Sequence, residues 1–543
     1  MKIEANIVDV DKKEIYPASV EVRAGIITSI ERLEKRVNNY IIPGFIDAHV
    51  HIESSMLSPV EFSKQAMRHG TVAVISDPHE IANVCGIEGV DYMIENSQNT
   101  PMKIYFGAPS CVPATPFETS GNILDAQAVE KLMAKCDILY LSEVMNFPAV
   151  VSGEEEIMKK IESAKKRNKV IDGHAPGLKG EDLRKYVEAG ISTDHECFTI
   201  EEGREKIALG MKVLIREGSA AKNFNSLYKL IDEFPDMVML CSDDKHPEDL
   251  MESHINKVAA RAVKLGCNIF NVIKASSINA IKHYNIGVGY LKENHKADFA
   301  IVDNLNEFNL QELYIDGNKI YDTAGGLDVE YFTIHTKIIN NFNAERISIS
   351  DIAVEKTDKK YINCIDVIEG ELITRTKKIE ISESIEKTIQ EHNLNKIIVL
   401  NRYSKAKPAV GYIHGFAIKN SAIGSTIAHD CHNLICIGDG DENIVKAANS
   451  LIDMRGGISF TNTDKLKVLS LEIGGIMTNK PVDVVAAEYK AIESFAKSNG
   501  CLLNAPFMTM AFMALLVIPE LKISDKGLFD ITSKDLFVPL FQD

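Results

Sequence analysis

A chain of 543 residues, 45% hydrophobic and 25% charged, is too long for one core and predicts two to four globular domains. Its formal net charge of −17 argues against non-specific binding to nucleic acid or to an anionic membrane, although a local pocket can oppose the global field. Ten scattered cysteines without a Cys-x-x-Cys pair suit a reducing cytosol better than a disulfide scaffold.

The start, Met1-Lys2-Ile3-Glu4-Ala5-Asn6, lacks a basic stretch followed by an apolar run, so no secretory signal is expected and the cytoplasm is the expected location. The longest uncharged apolar stretch, 508–518, has the length of a core helix or buried strand, not of a membrane span. Residues 1–40 read as short alternating strands at 3–10, 18–22 and 26–31. From residue 40 the rhythm changes. Eight β-rich runs, at 40–47, 71–76, 102–107, 138–143, 170–174, 191–195, 211–216 and 237–242, are separated by helical stretches. Alternating strand and helix marks a parallel sheet, and eight units in about 200 residues predict a closed barrel. The first helix is punctuated by Ser58-Pro59-Val60-Glu61, which predicts a capping box with Pro at the first helical position, and Gly70 predicts its stop. After residue 280 short strands return at 287–291, 297–302 and 312–320, the last around the turn Asp316-Gly317. Beyond 330 an α+β region begins, with strands at 396–401 and 433–437 and a helix at 481–498 closed by Gly500.

The expected fold is therefore α/β: a (β/α)8 barrel over 41–284, a small split β-sandwich domain made of 1–40 and 285–328, and a C-terminal α+β domain over 329–543.

Barrel enzymes keep their active residues at the C-terminal ends of the strands. The first candidate strand ends in His49 and His51, one residue apart and hence on the same side. The second ends in Asp77, His79 and Glu80, the fourth in Glu143, the fifth in His174, the sixth in His195, and the eighth in Asp243 and Asp244. Packed in one mouth without a cation, the carboxylates would repel and the imidazoles would be poorly solvated. A pair of divalent metals resolves both problems, and imidazole with carboxylate suits Zn, Fe or Mn.

Pro43-Gly44-Phe45-Ile46-Asp47-Ala48-His49-Val50-His51, followed by later single His and Asp residues, resembles the amidohydrolase superfamily. More narrowly, His51-Ile52-Glu53-Ser54-Ser55-Met56, Ser76-Asp77-Pro78-His79-Glu80-Ile81-Ala82-Asn83-Val84 and Gly173-His174-Ala175-Pro176 resemble the bacterial adenine deaminases. So do Gly424-Ser425-Thr426-Ile427-Ala428-His429-Asp430-Cys431-His432-Asn433 and Glu472-Ile473-Gly474-Gly475, which extends the likeness over nearly the whole chain. The resemblance implies a metal-dependent TIM-like hydrolase barrel. It places His49 and His51 on a first metal, His174 and His195 on a second, and Asp243 on the first as proton shuttle. Glu143 stands where many members of the superfamily carry a bridging carboxylated Lys, and a glutamate bridge is what the narrower resemblance implies. It favours Mn²⁺ or Fe²⁺, with Zn²⁺ also admitted. The implied reaction is hydrolysis of adenine to hypoxanthine and ammonia, by activated water attacking C6.

His79 or Glu80 is expected to contact the purine or donate a proton, or else to orient His49 or His51. Glu53, Asp77 and Asp244 are expected on the substrate side. For His429 and His432 three readings stand: a third metal pair, core or capping histidines, or a lid on the barrel mouth, with a structural or lid role preferred. The expected partners are a small-molecule substrate and water, and the size is compatible with a homodimer. Rival readings are a hydrolase of cyclic amides or amino sugars on the same scaffold, and a non-catalytic assembly protein on the same barrel.

Overall fold

In a computed structural model, which describes residues 1–219, 221–332 and 336–543, the chain divides into two compact units. One comprises Met1–Pro78, Val90–Cys111 and Leu124–Thr336, and the other comprises His79–Gly89, Val112–Ile123 and Lys337–Asp543.

Eight parallel strands form the barrel of the first unit: Phe45–His51, Thr71–Ser76, Lys103–Ala108, Ile138–Val144, Ile171–Gly173, Thr193–Asp194, Lys212–Arg216 and Val238–Cys241. The first five pair in sequence, and so do the last three. The amide of Ser192 donates to Ile171 O at 2.9 Å, and the Gly173 amide donates to Thr193 Oγ1 at 3.2 Å, joining the two runs. Asp243 and Asp244 then pair with Val50 and His51 and bring the eighth strand's end to the first. Strands such as Thr71–Ser76 are buried along their whole length, as expected where helices cover a parallel sheet.

The apolar run expected as one strand at 40–47 is two. Tyr40–Pro43 belongs to a separate eight-stranded sheet, where it runs antiparallel to Phe299–Val302 and parallel to Asn6 and Ile7. Phe45–His51 belongs to the barrel. Gly44 sits between them because a Cβ there would lie 2.3 Å from Val72 Cγ1. The eight-stranded sheet also contains Lys2–Asp9, Glu14–Arg23, Ile26–Arg32, Leu310–Ile315 and Asn318–Asp322, and its core includes Ile7, Val20, Ile27, Ile41 and Phe299. The stretch 287–291, expected as a strand, joins no ladder among the described residues; the Gly289 amide donates instead to Asp298 Oδ2 at 2.8 Å.

The first barrel helix, Pro59–Arg68, starts with Pro at its first turn and ends before Gly70, which has a φ of +84°. Its capping box does not form. Asn96 Oδ1 accepts the first-turn amide of Val60 at 3.0 Å, and Glu61 pairs with Lys64 at 2.6 Å, so the Ser58 and Glu61 side chains do not cap reciprocally.

The second unit is built on a mostly antiparallel sheet. Its strands run in the order Thr374–Glu380, Tyr361–Val367, Ala409–His414, Asn395–Leu400, Leu434–Gly438, Ser421–Ser425, Gly457–Asn462 and Leu466–Ser470. Helix Asp441–Met454 lays Ile444, Ala447, Ala448 and Leu451, an i, i+3, i+4, i+7 stripe, onto Ile398, Leu434 and Cys436. Helix Val482–Ser498 ends before Gly500, which has a φ of +97°. No helix among the described residues is long and apolar enough to cross a membrane.

Candidate functional site

The barrel gathers its chemistry at the strand ends. His49 and His51 alternate with Val50 and so share a side, with their Nε2 atoms 3.2 Å apart. His51 Nδ1 lies 3.1 Å from the carbonyl oxygen of Asp77. A carbonyl only accepts, so Nδ1 carries the proton and Nε2 turns its lone pair into the cluster.

Asp243 Oδ1 stands 3.1 Å from His51 Nε2 and 3.6 Å from His49 Nε2. Glu143 sits between two groups of histidines. One oxygen, Oε1, is 3.3 Å from His51 Nε2, and the other, Oε2, is 2.9 Å from His174 Nδ1 and 3.2 Å from His195 Nε2. The His49 and His195 rings stack with centroids 4.1 Å apart. His49, His51, Glu143, His195 and Asp243 are all buried, and His174 is half-buried.

The fields in this pocket follow from that packing. Burial, with His195 and His51 adding to it, pushes His49 well below the ordinary imidazole value. Burial would also lower His195, but its hydrogen bond to Glu143 and the nearby carboxylates raise it to about 9. His174 is raised too, Glu196 and Glu143 overcoming its burial. Asp243 is held well below the carboxylate range because Arg216, and then the histidines, outweigh its burial. Two carboxylates thus demand positive charge at a place where imidazole nitrogens lie 3.2–3.3 Å apart. This all-nitrogen and oxygen donor set fits divalent metal.

Residues 40–320 match the model of the amidohydrolase family, and residues 371–535 match the adenine deaminase C-terminal domain. An adenine deaminase from Methanosarcina mazei is 48% identical over 99% of this chain and 99% of its own. The enzymes of the same name from a Sulfurovum species, at 48%, and from Borreliella afzelii, at 47%, each align over 98% of both chains. The chain belongs to the adenine deaminase family. Membership of the amidohydrolase family also implies a divalent metal, and the cluster just described is the place in this chain that fits one.

Other residues expected to act in this adenine deaminase family member fall in two groups. In the barrel unit, Asp77 is buried and its backbone carbonyl orients His51. Glu53 is buried in the short helix Ile52–Ser55 that follows His51 directly. Asp244 pairs in register with His51, and its Oδ1 accepts from Ser54 Oγ at 2.5 Å. In the second unit, His79 and Glu80 open helix His79–Cys85. There the Glu80 carboxylate takes His429 Nδ1 at 2.7 Å on Oε1 and His432 Nε2 on Oε2, with His79 Nε2 at 3.4 Å. Burial would raise the Glu80 carboxyl, but the three imidazoles hold it well below the usual range.

The sequence reading missed three supports. Asp47 Oδ1 accepts the Ser242 amide at 2.9 Å, and its Oδ2 lies 2.9 Å from His254 Nε2, which ties the first strand to the eighth. Lys206, fully buried, donates to Asp194 at 2.6 Å, to Glu202 at 2.7 Å and to Ala175 O at 2.7 Å. Arg216 joins Glu196 and Asp243. Arg216 closes the seventh strand, a strand-end position like those of the histidines, but arginine is not a metal-ligand residue type.

Proposed function

We propose that this chain hydrolyses adenine, breaking the C6–N6 bond, forming a C6–O bond with water, and releasing hypoxanthine and ammonia. The observation that carries the reading is Glu143 between two histidine groups, one carboxylate oxygen toward each, in a chain of the adenine deaminase family. His49, His51 and Asp243 would hold one divalent metal, His174 and His195 a second, and Glu143 would bridge them. Bound there, such a pair supplies a water of lowered pKa, a nucleophile at neutral pH. The all-oxygen bridge favours manganese or ferrous iron over zinc.

The protein's own part is proton management. Asp243 is kept ionised by Arg216 despite its burial, so Oδ1 accepts a proton from the attacking water. The same oxygen returns it to N1 or to the departing amino group. His51, fixed in one tautomer by the Asp77 carbonyl, keeps its lone pair toward that oxygen's side of the pocket. Glu53, Asp77 and Asp244 are proposed on the purine side. Glu80 and His79, which follow the second barrel strand in the chain, are proposed to contact the purine or donate to it.

The test is turnover of adenine followed by ultraviolet absorbance, with Mn²⁺-reconstituted protein and with adenosine and a cyclic amide in parallel. Conversion of adenine to hypoxanthine supports the reading. Fully metallated protein inert to adenine but active on the amide would overturn it.

A further inference from the structure

The Asp243 carboxylate is not simply presented to the pocket: its two oxygens are divided between different partners. Oδ1 faces His51 at 3.1 Å and His49 at 3.6 Å, whereas Oδ2 is taken by the Arg216 guanidinium. Arg216 is 8% exposed and is itself held from the other side, its Nη1 and Nη2 forking onto the two oxygens of Glu196, the Nη2 bond at 2.9 Å. Glu196 follows His195 in sequence, and its Oε1 lies 3.6 Å from His195 Nε2 and 3.7 Å from His174 Nδ1. One rigid guanidinium thus spans from the sixth-strand end to the eighth.

The backbone does not supply this restraint by itself. Asp243 has a φ of +55°, in the left-handed region that non-Gly residues seldom enter and that Asp enters more readily than most. The amide before it, Ser242 N–H, is anchored on Asp47 at 2.9 Å, and Asp244 pairs in register with His51. Those contacts fix the backbone on either side of Asp243 but leave its χ angles open. Arg216 supplies the missing restraint, and a guanidinium is suited to it because its planar fork can engage two carboxylates at once, which a lysine ammonium on a flexible stem cannot do in fixed geometry.

We propose that Arg216, braced by Glu196, is a positioning residue for the deamination: by occupying Asp243 Oδ2 it directs Oδ1 alone to the metal and to the travelling proton. The inference rests on the proposed function for its kinetic consequence and on the geometry alone for its structural one.

Both consequences are read on Arg216→Gln, Arg216→Lys and Glu196→Gln in the full chain. A misplacement of about 1 Å at a reacting group costs about 100-fold in rate. In Arg216→Gln, kcat for adenine should fall about 100-fold with KM within twofold and metal content unchanged. Arg216→Lys should recover only part of that loss, and Glu196→Gln should lie between wild type and Arg216→Gln. The independent readout is the visible spectrum of the Co²⁺-substituted protein, whose ligand-field bands should shift in Arg216→Gln at equal Co²⁺ stoichiometry. A raised KM with kcat intact would overturn the proposal by making Arg216 a substrate contact. Loss of metal in step with activity would overturn it by making Arg216 a support of the whole ligand shell. An unchanged Co²⁺ spectrum would refute the positioning of Asp243 even if adenine proves not to be the substrate, and a shifted spectrum without adenine turnover would uphold it while the proposed reaction fails.

Discussion

Lys206→Met should weaken the barrel and its metal site together. The ammonium of Lys206 is fully buried and donates three hydrogen bonds, to Asp194 Oδ2, Glu202 Oε1 and the Ala175 carbonyl. Asp194 in turn accepts the Ala175 amide at 2.9 Å, and Glu202 accepts the amides of Gly177 at 2.8 Å and Phe198 at 3.0 Å. The loops carrying His174 and His195 are therefore fastened to one cation. Methionine fills much of the same volume but leaves two buried carboxylates without a counter-charge, a change that costs about 3–5 kcal/mol. Burial alone would raise Asp194, yet Lys206, helped by His195 and the Ala175 amide, holds it at about 2 against an ordinary 3.8, a net effect of about 2.4 kcal/mol at neutral pH of which Lys206 supplies the largest part. Because the folded value is depressed, this stability is present above pH 3.8 and is lost as pH falls toward 2. The assay is urea unfolding of the metal-free protein at pH 7, with metal uptake measured in parallel. Lys206→Met should lose at least about 2 kcal/mol and bind metal more weakly at His174 and His195, and the triple variant Lys206→Met/Asp194→Asn/Glu202→Gln should regain much of the stability. A Lys206→Met protein within about 1 kcal/mol of wild type, with full metal, would show that the buried cluster does not act as argued.

Lys522, fully buried with its ammonium donating to Leu372 O at 2.8 Å, is lowered by burial to about 7. The unfolded chain then holds a proton that the folded chain lacks between pH 7 and about 10.5, so stability should rise with pH in that window by about 1.4 kcal/mol per unit. Lys522→Met should flatten the rise, as read by denaturant midpoints at pH 7, 8.5 and 10, and an unaltered slope would rule the assignment out. Glu80→Gln should cut adenine turnover at least tenfold while metal per chain stays at the wild-type value; metal lost along with activity would instead assign Glu80 to the support of a metal ligand.

Much of this architecture is legible in the chain because it is local. All eight barrel strands lie within a few residues of their apolar runs, and the alternation that sets His49 and His51 on one side is a property of any strand. What escaped was tertiary. The run through residues 40–51 reads as one strand, but Tyr40–Pro43 pairs with Phe299–Val302 in one sheet and Phe45–His51 pairs with Thr71–Ser76 in another. Ser58-Pro59-Val60-Glu61 has the composition of a capping box, but Asn96, brought in from another helix, satisfies the amide instead. The union of Glu80 with His429 and His432 spans about 350 residues of sequence, and no local pattern encodes it. Arg216 and Lys206 look like ordinary charges at a strand end and on a helix. Their meaning lies in burial beside carboxylates, which spacing alone does not reveal.

In the proposed centre six side chains, His49, His51, Glu143, His174, His195 and Asp243, hold two divalent metals for adenine hydrolysis. The decisive experiment is to titrate metal-free protein with Mn²⁺ and read bound metal and adenine turnover at each step. Activity should climb to a plateau at two metals per chain, and Glu143→Ala should bind fewer and stay inactive. Full activity at one metal per chain, or in Glu143→Ala, would rule out a two-metal centre bridged by Glu143.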